Sequence, residues 1–141
     1  MELKDIISIP GKSGLYKLFK PTRNGLIVEA LGQSGPKIVV NSSQRVSALK
    51  EISIFTTGEN DTISLQEVLK LAQKLYQGKA EFDTEDNLTL KTEFERMLPN
   101  FDPEKVRLSD MKKFFKWYNL LIEHAIEVFE DQPIDESNQP K

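Results

Sequence analysis

The sequence predicts an α+β fold, a small SH3-like or Greek-key β-barrel followed by a three-helix C-terminal region. Three observations carry this reading. Five of the seven glycines fall between Gly11 and Gly35, among short apolar runs, which is the punctuation of tight turns between strands. Composition changes across Gly58-Glu59-Asn60-Asp61. Beyond that point the apolar residues recur at helical spacing. The expected division is a barrel-like unit over 1–57, a helical unit over 62–130 and a disordered tail over 131–141.

The elements follow in order. Leu3 to Ile9 reads as one or two helical turns that plug an end of the barrel, stopped by Pro10 and Gly11. Leu15 to Lys20 is a strand. Asn24-Gly25 then signals a hairpin, because both residues tolerate the positive φ of a type I′ turn. Leu26 to Leu31 is the return strand, Gly32 to Pro36 a second turn, and Lys37 to Asn41 a third strand. Val46-Ser47-Ala48-Leu49 is too short to classify, and Glu51 to Thr56 is a last strand. Ser64 with Glu67 makes a capping box for the first helix, which Gly78 ends. A second helix spans about 88–98, with Leu90, Phe94, Met97 and Leu98 as its apolar face, and stops before Pro99. Ser109 is the expected N-cap of a third helix over about 110–130. The tail after it holds two prolines and few apolar residues.

Stepped at about 100° per residue, the third helix shows an apolar arc of roughly 180°, wider than the ~100° needed for one neighbour. Leu120 alone sits on its polar side. Two readings stand for the wide arc. In one, the helix is central to the C-terminal half and also touches the barrel. In the other, the edge bearing Trp117, Leu121 and Val128 docks a partner or a second copy, since Trp is a favoured interface anchor.

Charge is unevenly spread. Residues 1–57 hold eight basic and four acidic residues, +4, and residues 58–141 hold eleven basic and eighteen acidic, −7. This asymmetry fits an anion-binding module beside a solubilising one, but two faces that attract each other are the preferred reading. Two basic sets are candidates for anion or nucleic-acid contact. The first is Lys12, Lys17, Lys20 and Arg23 around Tyr16 and Phe19, the aromatics offering stacking platforms. The second is Lys105, Arg107, Lys112, Lys113 and Lys116 near the start of the third helix, where a helix N-terminus attracts anions. These lysines, with Glu123, Glu127 and Glu130 near the other end, run against the helix dipole. For the second set, a solvated face paired with nearby acids such as Glu104 and Asp102 is the plainer reading; for the first, Tyr16 and Phe19 point to opposite faces of one strand, so at least one packs inward.

Chemistry is sparse. Without cysteine there is no disulfide framework, thiolate metal site or Cys nucleophile, and this fits a reducing compartment. The one histidine, His124, lies at the border of the apolar arc and has no strong ligand to share a zinc ion with. No nucleophile elbow, zincin motif, Walker loop or dinucleotide fingerprint occurs. The acids Glu81, Asp83, Glu85 and Asp86 fall in a polar stretch, and the central glycine of a calcium loop is missing. No catalytic residue, cofactor or metal is expected. The N-terminus does not read as a signal peptide, and no run approaches the ~18 apolar residues of a membrane span, so the expected setting is the cytoplasm, with no membrane partner.

The segments Leu3-Lys4-Asp5-Ile6, Gly11 to Leu18, Asn24 to Leu31, and Arg45 to Leu49 through Ile52-Ser53-Ile54-Phe55 resemble a family of small bacterial proteins of unknown function typical of the Bacteroidetes. Leu98 to Asp102, Ser109 to Lys113 and Trp117 to Leu121 are similar to the same family's C-terminal half. The resemblance covers about 3–126. It implies a two-part architecture and a cytosolic bacterial setting, and it assigns no activity. The functional expectation is a non-enzymatic binding or adaptor protein, acting through an unknown protein partner or self-association. The alternative is RNA or single-stranded DNA binding by the basic first half.

Overall fold

The computed structural model describes residues 2–9, 14–32, 37–41, 46–59 and 61–129. A 3-10 turn, Leu3–Asp5, leads into β1 (Ile6–Ser8). β2 (Tyr16–Thr22), β3 (Gly25–Ala30), β4 (Ile38–Asn41) and β5 (Ser47–Ala48) complete an antiparallel sheet in the order β4-β3-β2-β1-β5. This order leaves β4 and β5 as edges, and no ladder closes them into a barrel among the described residues. The expected helical plug is a strand from Ile6 onward. Three residues are too few to show a period, but alternation sends Ile6 to one side of the sheet and Ile7 to the other, each into a different core.

The β2–β3 hairpin forms, but not through a type I′ turn at Asn24-Gly25. Thr22 pairs with Gly25, so Arg23 and Asn24 make the turn, and neither Asn24 nor Gly25 has positive φ. Register decides this. Leu18 and Val28 pair and face the same cluster, and a bulge between Leu18 and Lys20 then shifts the ladder by one residue. Pro21 is tolerated in β2 because, among the described residues, β1 pairs with β2 at Tyr16 and Lys17 and no strand pairs with that edge beside Pro21.

The expected last strand exists as β6 (Ser53–Phe55), but it belongs to a separate hairpin with β7 (Thr62–Ser64). Of the expected hinge, Gly58, Glu59 and Asp61 lie between the two strands of that hairpin. Ser64 then caps α1 (Leu65–Tyr76): its hydroxyl accepts the Glu67 N–H at 3.2 Å. The left-handed residue at the helix end is Gln77, just before Gly78. Asp86 caps α2 (Asn87–Met97), accepting the Leu88 N–H at 3.1 Å.

α3 (Leu108–His124) starts and stops earlier than the sequence suggests. Arg107, not Ser109, is its N-cap, and its N–H donates to the Asp110 carboxylate at 3.0 Å. An acid three residues into the helix supplies that bond. At the far end, Ala125 leaves helical geometry (φ −149, ψ 45) and a 3-10 turn, Ile126–Phe129, folds back onto the core. The Phe129 ring then meets Tyr118 edge-on at 5.8 Å.

Two apolar clusters hold the chain together. The smaller gathers Ile7, Ile9, Val28 and Val40 on one face of the sheet. The larger joins Leu3, Ile6, Leu15 and Leu49 to the helices, around Phe94, Phe115, Tyr118 and Leu121. Leu120, misplaced on the helical wheel, packs against this cluster. Side-chain bonds fasten the connection after α1: Asn119 accepts the Ala80 N–H at 2.8 Å and donates to the Ala80 carbonyl at 3.1 Å, and the Tyr118 hydroxyl donates to the Gly78 carbonyl. No helix among the described residues is long and apolar enough to cross a membrane. The expected tail over 131–141 lies outside the described residues.

Candidate functional site

The first turns of α3 border a groove of about 860 Å³, within the ~300–1,000 Å³ common for ligand pockets. Its other walls are β6, the β1 and β5 strands of the large sheet, and the chain segment before α3. Ile52, Ile54, Val106, Phe114 and Trp117 give it apolar lining. Lys105, Lys112, Lys113 and Lys116 stand along it, with Asp110 beside them.

Two of these lysines lie over aromatic rings. Lys105 Nζ is 4.9 Å from the centre of the Phe55 ring, and Lys113 Nζ is 5.8 Å from that of Trp117. Each contact is worth about 0.5–1 kcal/mol at an exposed site, enough to bias an ammonium group toward the groove. Lys112 pairs with Glu85 at 3.2 Å. Asp110 is turned to the Arg107 N–H, so a carboxylate of the chain itself already serves the N-terminus of α3. At the opposite end Lys79 binds Glu123 at 3.0 Å and holds its carboxyl below the usual range, offsetting an acid near the negative end of the dipole.

The structure brings together part of the predicted residues. Lys105, Lys112, Lys113, Lys116 and Trp117 share the groove. Arg107 is exposed at the helix start but outside the lining. The expected docking edge does not survive as a set. Leu121 is 0% exposed and Val128 5%, both in the larger core, because the break at Ala125 folds Val128 inward. Trp117 alone of the three remains half-buried at the surface.

The first basic set is not joined to the second. Lys17 and Lys20 are exposed on β2 and Arg23 at the hairpin turn, while Tyr16 packs against the smaller cluster instead of offering a stacking face. Lys17 sits opposite Glu29 across the ladder. Lys12 lies outside the described residues. Phe19, at the bulge, is 53% exposed and carries Lys37 Nζ 4.5 Å above its ring. His124 lies far along α3 from the groove, its ring against Gly32, where an added Cβ would come within 2.6 Å. Sequence reasoning passed over Phe55. The available signal was an aromatic on the outward-facing alternate position of a strand whose other face holds Ile52 and Ile54.

Comparison with known proteins places this architecture. Residues 3–49 match the model of a domain of unknown function (DUF5606), and residues 52–121 match that of a second (DUF6852). A protein from Bacteroides vulgatus, solved by solution NMR in a structural genomics programme, is 33% identical over 88% of each chain, with a TM-score of 0.70. The chain belongs to this two-part family. No curated protein matches it. The family boundary falls within the 3-10 turn Leu49–Glu51, before the β6–β7 hairpin, so the hairpin goes with the helices. The groove therefore straddles both family segments: Ser8, Ile9, Gly14 and Ser47 come from the first, and the rest of its lining from the second.

Proposed function

We propose that this protein is a non-enzymatic binding module whose groove takes an acidic, apolar-anchored segment of a partner protein. The observation that carries this is the placing of Lys105, Lys112, Lys113 and Lys116 around an apolar lining that includes Trp117. Apolar burial supplies affinity, while the lysines select negative charge and speed encounter. The absence of cysteine suits the cytoplasm as the setting. A curl of the sheet toward an SH3-like barrel belongs to the same reading. It is supported by Val40 on one edge strand sharing a cluster with Val46 and Ala48 at the other.

Trp117 is the single tryptophan, so its fluorescence reports on the groove without a label. Titration with a short peptide alternating Glu and Leu is expected to shift its emission, less so as salt is raised. The double variant Lys113→Glu/Lys116→Glu is expected to lose the response. An equal response to a Lys/Leu peptide, or none at about 1 mM, overturns the proposal. A mixed-sequence single strand of DNA in the same titration tests the nucleic-acid alternative. Light scattering on the chain alone tests self-association.

A further inference from the structure

We propose that the partner segment enters the groove extended and adds as a strand to the outer edge of β6; this rests on the binding role proposed above and specifies its mode. β6 is paired along one side only, Ser53 with Ser64, Ile54 with Ile63 and Phe55 with Thr62. Thr56 donates to the Asp61 carbonyl and Leu65 to the Ile52 carbonyl, both at 2.8 Å, so the Thr56 N–H and the Ile52 carbonyl point toward the β7 side. Antiparallel alternation turns those of Ser53 and Phe55 the other way.

At the Phe55 end that outer edge is already used. The Asp102 N–H donates to the Phe55 carbonyl at 3.0 Å and the Thr57 N–H to the Asn100 carbonyl at 2.9 Å, forming a single antiparallel bridge between Thr56 and Phe101. The chain thus demonstrates on itself that the edge accepts an antiparallel neighbour. The pairing then stops. Among the described residues, no backbone partner meets the Phe55 N–H or the N–H and carbonyl of Ser53, and both residues line the groove. An added strand lies about 4.8 Å from β6. Its side chains alternate between two faces, so a segment alternating apolar and acidic residues sets one kind against Ile54, Phe114 and Trp117, which share the larger cluster, and the other toward Lys105, which stands over Phe55. That charge match commits the occupant to an acidic partner segment.

The test uses the full chain, labelled with ¹⁵N, and the Glu/Leu peptide in three forms: unmodified, N-methylated at every second amide, and N-methylated at the intervening amides. Strand addition predicts slowed amide exchange at Ser53 and Phe55 on binding. It also predicts that one methylated set weakens binding by about tenfold or more while the other binds nearly as the parent. A Trp117 response to all three forms alike, with no protection at Ser53 and Phe55, overturns strand addition and leaves the groove reading standing. No response to the unmodified peptide removes both. A dimer by light scattering with Ser53 and Phe55 already protected overturns the proposal in favour of a second copy as occupant.

Discussion

Asn119 on α3 grips the backbone of Ala80 from both sides, accepting its N–H at 2.8 Å and donating to its carbonyl at 3.1 Å. The amide thereby acts as a surrogate strand neighbour for one residue of the α1–α2 connection. Asn119→Ala is expected to destabilise the fold by about 1–3 kcal/mol, since both Ala80 groups are part-buried and lose their partner. Urea unfolding, read by Trp117 emission and far-ultraviolet dichroism together, checks this. A midpoint unchanged from wild type would show that the clasp is dispensable.

Gly32 has φ +86, and an added Cβ would lie 2.6 Å from the His124 ring. Gly32→Ala therefore carries two costs: left-handed backbone, about 1–2 kcal/mol, and a collision with the imidazole. The double variant Gly32→Ala/His124→Ala should recover the second cost and keep the first. A double-mutant cycle of unfolding free energies separates them.

Leu121 is 0% exposed, so Leu121→Ala is expected to cost about 2–5 kcal/mol of stability through lost burial and a cavity. Trp117→Ala, at the groove, should cost less stability and abolish the peptide response. Thermal unfolding of the two variants, with peptide binding to Trp117→Ala followed by calorimetry, distinguishes a core residue from a surface one.

Burial, followed by the hydrogen bond to Glu93, raises the Tyr76 phenol above its ordinary 10.0, and burial also raises Tyr118. In each case the native state holds a proton that the unfolded chain releases more readily. Their stabilising contribution is thus full below pH 10 and is lost as pH climbs above it. Stability measured by urea on either side of pH 10 should fall with rising pH, and less steeply in Tyr76→Phe. Lysine deprotonation contributes to both chains, so the difference in slope is the informative quantity.

Some elements were plain in the sequence because one local rule decided each. Ser64 and Glu67 mark the start of α1, the spacing of Leu90, Phe94 and Met97 marks α2, and Leu15 to Leu31 marks a hairpin. Where two levels compete, local rules fail. Asn24-Gly25 favours one turn, but the pairing of Leu18 with Val28 sets another register. The wheel extends α3 to about residue 130, past Val128 and Phe129, because neither Gly nor Pro interrupts it. The break at Ala125 is tertiary, since it lets Val128 and Phe129 reach the core. The lysines of the site were legible as a cluster. Their apolar counterpart was not, because Ile54 and Phe55 arrive from a hairpin whose second strand, three residues long, runs directly into a helix cap.

The larger core has a consequence for how the two family segments are inherited. Leu3, Ile6, Leu15 and Leu49 from the first segment finish a packing that α1 and α3 of the second begin. A gene retaining either stretch alone would encode a protein with an unsealed oily flank. Separating the two stretches would leave Leu49 and Leu65, both now sealed from solvent, facing water.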